Sequence, residues 1–128
     1  MTEPKPARIL VADDEPTILE LLRTVLSIWS FEVELCADGD AALARAIEGR
    51  FDLLLFDHQM PLVSGLGALQ RLRAANRRIP AVLMSGHFSE DIVRDSRKVD
   101  GIVLLPKPFT LTALREAIDQ ALSSGRSR

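Results

Sequence analysis

The chain has 128 residues, 47% of them hydrophobic, and a formal net charge of −2. This length suits one domain around a single core and leaves no room for a second. No apolar run approaches the roughly 18 residues of a membrane span, and the N-terminus lacks the apolar region of a signal peptide. The one cysteine, Cys36, has no internal disulfide partner. We therefore expect a cytoplasmic protein without membrane contact, in which Cys36 is a small buried hydrophobe.

Strand and helix patterns alternate five times between residues 8 and 122. Residues 1–7 form a proline-rich lead and residues 123–128 a polar tail. We expect both to be flexible, because neither can bury enough apolar surface to become ordered. The five repeats predict one α/β domain over residues 8–122, with a parallel sheet covered by helices on both faces.

The first two repeats have clear boundary residues. The first strand, residues 9–12, ends before Asp13 and Asp14, and Pro16 suits the first turn of a helix. The apolar stripe of that helix recurs at helical spacing and comprises Ile18, Leu21, Leu22, Val25, Leu26 and Trp29. A second strand at about residues 31–36 leads to Asp38, which predicts an N-cap for a helix over residues 40–48.

The third to fifth repeats follow the same pattern. Strands end at Asp57, at Ser85 and just before Lys107, and the third helix covers about residues 65–75. The fourth helix, about residues 89–97, has the weakest apolar pattern, so we expect it to be the most mobile. Thr110 can cap the last helix. The apolar stripe of that helix comprises Leu111, Leu114, Ile118, Ala121 and Leu122.

Four arginines cluster near the end of the predicted third helix: Arg71, Arg73, Arg77 and Arg78. Positive side chains complement the negative end of a helix dipole. We therefore interpret this cluster as a solvated helix end and expect no direct contact with nucleic acid.

Polar side chains stand at the carboxyl ends of four predicted strands, where open α/β sheets bind ligands. They are Asp13 and Asp14, Asp57, Ser85, and Lys107. With strand order 2-1-3-4-5, the three aspartates meet at the switch point between strands one and three. Neighbouring carboxylates repel at neutral pH and need a cation or a proton shared among them, and oxygen ligands without His or Cys favour Mg²⁺.

These residue types are the parts that phosphoryl transfer needs. A carboxylate is already a nucleophile, while a metal ion, an ammonium group and a hydroxyl can contact the phosphoryl oxygens. Asp57 is the best acceptor because its strand is central in the sheet. The simpler interpretation is that Asp13 or Asp14 only caps the helix beginning at Pro16, which leaves Asp57, Ser85 and Lys107 unexplained.

Four motifs in register resemble the receiver domains of two-component response regulators. They are Asp13-Asp14-Glu15-Pro16, Asp57-His58-Gln59-Met60-Pro61 with Gly65, Ser85-Gly86, and Lys107-Pro108-Phe109. The resemblance spans roughly residues 8–122 and implies a flavodoxin-like (βα)5 fold. It also implies phosphorelay signalling, in which Asp57 takes a phosphoryl group from a histidine kinase or a histidine phosphotransfer protein.

The resemblance further implies a role for each matching residue. Asp14 and Asp57 would bind Mg²⁺ directly, Asp13 through water, and Gln59 through its backbone carbonyl. Ser85 and Lys107 would contact the phosphoryl group, and the peptide bond after Lys107 would be cis. Such a domain is a phosphoacceptor that assists its own phosphorylation and dephosphorylation, and is not an enzyme with a separate substrate.

Three positions depart from the common receiver pattern. Leu104 replaces the Tyr or Phe that usually couples to the hydroxyl of strand four, and Phe88 and Phe109 are the candidates to substitute for it. Gln59 and His87 are expected to flank the path of water to the acyl phosphate. We hypothesise that these two residues set the lifetime of the phosphorylated state.

The output surface is expected on helix four, strand five and helix five, as a contact with a protein partner or as a homodimer. No output domain follows residue 122, so we expect the chain to act through another protein, to pass its phosphoryl group on, or to belong to a longer protein. One alternative is a phosphorylation-independent binding module, which Leu104 favours. Another is a Mg²⁺-dependent phosphatase, which Gln59 disfavours because such enzymes place an acid there.

Overall fold

The computed structural model describes residues 5–126, with side chains described as far as residue 123. Within these residues, five strands alternate with five helices. Their order is β1 (Arg8–Ala12), α1 (Pro16–Ile28), β2 (Glu32–Cys36), α2 (Gly39–Glu48), β3 (Leu53–Asp57), α3 (Gly65–Ala74), β4 (Ala81–Ser85), α4 (Glu90–Arg97), β5 (Ile102–Pro106) and α5 (Leu111–Arg126).

The strands form one parallel sheet in the order β2-β1-β3-β4-β5, which confirms the predicted flavodoxin-like fold. Every residue of β3 and β4 is buried, because helices cover both faces of the central strands. The switch point lies between β1 and β3, where Ala12 is in register with Phe56. The residues that follow β1 and end β3 are therefore neighbours at one edge of the sheet.

The core has one layer on each face of the sheet. One layer joins Ile9, Val11, Leu55 and Val82 to buried residues of α1 and α5, and Cys36 belongs to the opposite layer beside α2 and α3. The predicted burial of Cys36 is thus confirmed, and burial raises the pKa of its thiol to about 11.

Two residues of the predicted helix stripes face solvent instead. Leu21 is 46% exposed and Leu111 is 50% exposed, so the expectation that they belong to the core was wrong. The face of α1 that meets the sheet is already filled by Leu22, Val25 and Leu26. Leu21 lies just outside this face, and Leu111 is the first residue of its helix, where few neighbours surround it.

Four helices begin with the side-chain caps that their sequences favour. Asp38 accepts a hydrogen bond from Ala41 N at 2.8 Å and Thr110 accepts one from Ala113 N at 3.0 Å, as predicted. Ser64 and Ser89 cap α3 and α4 in the same way. The exception is α1, whose N-cap residue is Glu15 without a side-chain hydrogen bond. The interpretation of Asp13 or Asp14 as its cap was therefore wrong.

The arginine cluster is not simply a solvated helix end. Because α3 ends at Ala74, Arg77 and Arg78 lie beyond the helix. The half-buried Arg73 donates hydrogen bonds to the carbonyls of Arg77, Ile79 and Asp100 at 2.7–3.1 Å. Its guanidinium therefore ties the end of α3 to the segment before β5. Burial is the main reason that the pKa of Arg73 lies below its usual value.

The two ends of the chain differ in what the structure describes. Residues 5–7 lie outside regular elements, and residues 1–4 of the predicted lead lie outside the described residues. At the other end, α5 continues to Arg126, so the backbone is helical where the sequence predicts a flexible tail. Extending a helix that is already formed costs little, which explains the difference. Among the described helices, none has the length and apolar character needed to cross a bilayer.

Candidate functional site

Three carboxylates converge at the switch point, as predicted. Asp13 and Asp14 follow β1 and Asp57 ends β3, and one oxygen from each lies within 4.8 Å of the others. Asp13 is fully buried and Asp57 is 2% exposed, whereas Asp14 is open to solvent. The cluster is thus a buried pair of acids with a third acid at its mouth.

Lys107 reaches across the sheet to these acids. Its Nζ donates a hydrogen bond to Asp13 Oδ2 at 2.7 Å and lies 3.4 Å from Asp57 Oδ1. Burial alone favours the neutral amine, but the Asp13 hydrogen bond and the Asp57 charge outweigh burial and raise the pKa of Lys107. The Lys107–Pro108 peptide bond is cis, in agreement with the prediction.

Asp57 is an unusually weak acid for an aspartate. Burial is the main cause, and the neighbouring Asp13 charge adds to it, so that the pKa of Asp57 rises from 3.8 to about 6. The charge of Lys107 and a hydrogen bond from the Gln59 backbone oppose this rise. At pH 7 Asp57 is still mostly ionised, and it can act as a nucleophile without a general base.

The two buried aspartates differ in their hydrogen bonds. Asp13 Oδ1 accepts from Glu15 N at 2.9 Å and Asp13 Oδ2 accepts from Lys107, so both oxygens are used. Asp57 Oδ1 is buried, yet no donor among the described residues forms a hydrogen bond with it. An orphaned carboxylate oxygen beside two more carboxylates, without His or Cys, fits a hard divalent cation such as Mg²⁺.

Glycines allow the loop after β3 to pack tightly behind Asp57. A Cβ added at Gly65 would lie 2.3 Å from the Asp57 carbonyl oxygen and 2.9 Å from Leu83 Cδ1. A Cβ at Gly39 would lie 1.9 Å from the Val63 carbonyl oxygen of the same loop. Only glycine permits these approaches, so Gly65 and Gly39 fix the backbone that presents Asp57.

Ser85 ends β4 on the other side of Asp57, since Asp57 and Met84 are in register. Its buried Oγ donates a hydrogen bond to the His87 carbonyl at 2.9 Å and accepts one from His87 N at 3.1 Å. The Ser85 hydroxyl therefore holds the start of the β4–α4 loop in a local turn. Gln59 and His87, the two predicted tuning residues, are both exposed at this rim.

The structure also separates the two aromatic candidates that could compensate for Leu104. Leu104 is partly buried in the core layer on the α4 side, and Phe88 packs against the same layer. Phe109 packs against the layer on the opposite face, with α1 and α5. Of the two, Phe88 is therefore the aromatic residue that shares surroundings with Leu104.

Sequence reasoning missed two contributions to the site. Glu15 Oε1 lies 3.7 Å from Lys107 Nζ, which gives this lysine a third acidic neighbour. Glu15 directly follows Asp13 and Asp14 in the sequence, and this position could have indicated that it lies near Lys107. The second is the tight contact of Gly65 with Asp57, because the motif includes this glycine but does not show that it packs against the Asp57 carbonyl.

The sequence of this chain matches a known protein family. The family model described as response regulator receiver domain matches residues 9–119. The transcriptional regulatory protein ZraR of Salmonella typhimurium is 32% identical over 92% of this chain, which spans 27% of that protein's length.

Two solved structures are also similar. The chemotaxis response regulator CheY4 of Vibrio cholerae is 27% identical, with a TM-score of 0.83 over 91% of this chain and 98% of that one. The response regulator protein TrrA of Thermotoga maritima, in complex with Mg²⁺-BeF, is 30% identical, with a TM-score of 0.80 over 90% of this chain and 98% of that one. The match over residues 9–119 and these similarities show that this chain belongs to the response regulator receiver domain family.

Proposed function

We propose that Asp57 accepts a phosphoryl group from the phosphohistidine of a histidine kinase or histidine phosphotransfer protein. The observation that carries this proposal is the buried Asp57 Oδ1, which accepts no hydrogen bond from the described residues and lies 3.4 Å from Lys107 Nζ. An ionised oxygen with free lone pairs beside the half-buried ammonium group of Lys107 suits attack on a phosphorus atom.

The transfer is a direct displacement. Asp57 Oδ1 bonds to phosphorus while the bond between phosphorus and the donor imidazole nitrogen breaks, and the electron pair of that bond stays on the imidazole. The product is an acyl phosphate on Asp57. Lys107 neutralises charge on the phosphoryl oxygens, and the Ser85 hydroxyl donates a hydrogen bond to one of them.

The reaction is proposed to depend on Mg²⁺, which when bound supplies positive charge opposite the phosphoryl oxygens. Asp14, Asp57 and the backbone carbonyl of Gln59 would hold the ion, and Asp13 would act through water. This division agrees with the hydrogen bonds, because both Asp13 oxygens already accept from protein donors. The related TrrA structure was determined with Mg²⁺-BeF, which supports the same cofactor here.

The output follows from the Ser85 hydroxyl. When Ser85 turns its hydroxyl towards the phosphoryl group, it gives up its bond to the His87 carbonyl and frees the start of the β4–α4 loop. Among the described residues of α4 only Ser96 is buried, so this helix can shift at small cost. The surface of α4, β5 and α5 would then change its affinity for a downstream protein or for a second copy of the chain.

The domain is proposed to act as a cytoplasmic phosphoacceptor without a substrate of its own. The phosphorylation-independent module remains the second candidate, because Leu104 provides no aromatic side chain beside the β4–α4 loop. Gln59, at the position where an aspartyl-phosphate phosphatase would carry its acid, argues against the phosphatase.

Intact mass after incubation with Mg²⁺ and acetyl phosphate tests the proposal, with Asp57→Ala as the control. The gain of one phosphoryl group that is lost in Asp57→Ala would support it. No adduct with either acetyl phosphate or a panel of phosphorylated kinases would favour the phosphorylation-independent module. Repeated turnover of a phosphoester that requires Asp57 would instead indicate a phosphatase.

A further inference from the structure

The two edge strands of the sheet differ in how they are protected. In β2, Glu34 forms an ion pair with Arg45, and Glu32 lies 3.5 Å from Arg8, so charged groups line that edge. The other edge, β5 (Ile102–Pro106), has the sequence IVLLP and carries no charge. Proteins usually protect exposed edges with charged residues, because unpaired backbone groups bind other strands. The edge of β5 lacks this protection over most of its length.

Backbone hydrogen bonds show which groups of β5 point outward. Ala81 N donates to the Gly101 carbonyl at one end of the β4–β5 ladder, and Lys107 N donates to the Ser85 carbonyl at the other. Parallel pairing alternates, so residues 101, 103, 105 and 107 face β4. Ile102 and Leu104 therefore direct their N–H and C=O groups away from the sheet. Pro106 has no N–H, so pairing would stop at that end.

A groove of about 520 Å³ lies along this edge. It is lined by Arg97 of α4, by Ile102 and Leu104 of β5, and by Gln120 of α5, so it extends from one flanking helix to the other. The side chains of residues 102–104 are only partly buried. The edge is therefore accessible to an extended chain, with apolar side chains available on both sides of the strand.

The charge around the groove is positive. Arg73, Arg78 and Arg97 line it, whereas its one acid, Asp100, is already 3.4 Å from Arg78. Arg97 forms none of the ion pairs found among the described residues. A second copy would offer the same uncharged β5 strand, which has no acidic side chain to pair with Arg97. An acidic occupant is favoured instead.

We propose that the β5 edge binds an extended acidic segment of a partner protein, which adds to the sheet as a sixth strand beside Ile102 and Leu104. Backbone hydrogen bonds would provide affinity, and Arg97 would select for acidic side chains. This inference rests on the output surface under the proposed function and names the chemistry of its partner. It does not depend on phosphoryl transfer to Asp57.

The test uses the whole chain and a fluorescein-labelled hexapeptide of alternating Glu and Val with blocked ends. Binding is measured by fluorescence anisotropy, with and without Mg²⁺ and beryllofluoride, against a Lys-Val peptide of the same length. Ile102→Pro removes an outward N–H and keeps the ladder to β4, because an edge strand tolerates proline on its solvent side. Ile102→Val is its matched control, and Arg97→Glu tests the selection for acidic peptides.

We expect the Glu-Val peptide to bind in at least one of the two states and the Lys-Val peptide in neither. Ile102→Pro should weaken binding about fivefold and Arg97→Glu about tenfold, while Ile102→Val should have little effect. Amide hydrogen exchange at Ile102 and Leu104 should slow when the peptide is bound. Absence of binding, equal binding of both peptides, or binding unchanged by Ile102→Pro would overturn the proposal, as would self-association through β5 that excludes the peptide.

The same samples separate this inference from the proposed function. Intact mass after acetyl phosphate treatment reports on Asp57 alone, and Ile102→Pro should accept the phosphoryl group as the unmodified chain does. Phosphorylation without peptide binding would reject only the strand-addition proposal. Peptide binding without phosphorylation by either acetyl phosphate or a panel of phosphorylated kinases would reject only the phosphoacceptor proposal.

Discussion

Asp57→Asn should make the protein more stable at pH 8 when no divalent cation is present. In the folded state Asp57 is 2% exposed and close to Asp13, and its pKa is about 6 in place of 3.8. Folding therefore disfavours the ionised carboxylate. The amide of asparagine has nearly the same shape and carries no charge, so the substitution removes this cost.

The size of the effect follows from the pKa. Each pH unit corresponds to about 1.4 kcal/mol, so the change from 3.8 to about 6 gives a cost of about 3 kcal/mol above pH 7. This cost already includes the attraction to Lys107, and the asparagine amide forms different hydrogen bonds from a carboxylate, so we expect a net gain of about 1–3 kcal/mol. Because the folded-state pKa is the higher one, the cost is fully present above pH 6. It decreases as the pH falls through 6 and disappears below the unfolded-state value of 3.8.

Urea unfolding in EDTA at pH 8 and at pH 4 measures this difference. Asp57→Asn should exceed the unmodified chain in unfolding free energy at pH 8, and the difference should fall below about 1 kcal/mol at pH 4. Glu116→Gln, an exposed substitution in α5, is the control and should change little at either pH. A variant that is no more stable at pH 8, or a gain that does not depend on pH, would refute the reasoning. Adding Mg²⁺ should stabilise the unmodified chain and reduce the advantage of the variant.

Three further predictions concern the surroundings of Asp57. Gly65→Ala should cost at least about 2 kcal/mol in urea unfolding and slow phosphorylation by acetyl phosphate, since a Cβ there meets backbone at 2.3 Å. Gly86→Ala, with no atom within 4 Å of the added Cβ, is its control for stability and should be nearly neutral. Lys107→Met should lower the phosphorylation rate at least about tenfold in a mass-spectrometric time course, because a charged contact is lost. Gln59→Ala and His87→Ala should change the decay rate of phosphorylated Asp57, and unchanged half-lives in both would end the hypothesis that these residues tune it.

The site could be predicted because its residues stand where strands end. Each strand is a short apolar run closed by a polar residue, and the switch point follows from the strand order. The sequence therefore predicts that Asp13, Asp57 and Lys107 lie at the same edge of the sheet, and the structure places Lys107 Nζ within 3.4 Å of both acids. The caps at Asp38 and Thr110 were predictable for a similar reason, since they depend on residues only three apart.

What the sequence could not provide depends on geometry in three dimensions. Helical spacing put Leu21 in the core stripe, but the exact face that meets the sheet decides between neighbouring positions. The charges near the end of α3 were assigned to the helix dipole, whereas Arg73 instead bonds to three backbone carbonyls, two in the loop before β4 and one in the loop before β5. Such contacts depend on where the loops before β4 and β5 come together. The spacing of residues along the sequence does not show where two loops meet.

The energetics of the site and its signalling role have one origin. Three carboxylates lie together beside a single half-buried lysine, Lys107, which contacts two of them, so the cluster holds more negative charge than this lysine compensates. The proposed phosphoryl group on Asp57 would add still more charge at the same place, and the response would have to come from groups that can move. Asp13 is fixed by two hydrogen bonds and the loop behind Asp57 by Gly65. Among the described residues, the Ser85 hydroxyl forms hydrogen bonds only within its local turn with His87, and α4 behind it is weakly packed. The added charge would therefore act first on the β4–α4 loop, which leads towards the exposed edge of β5.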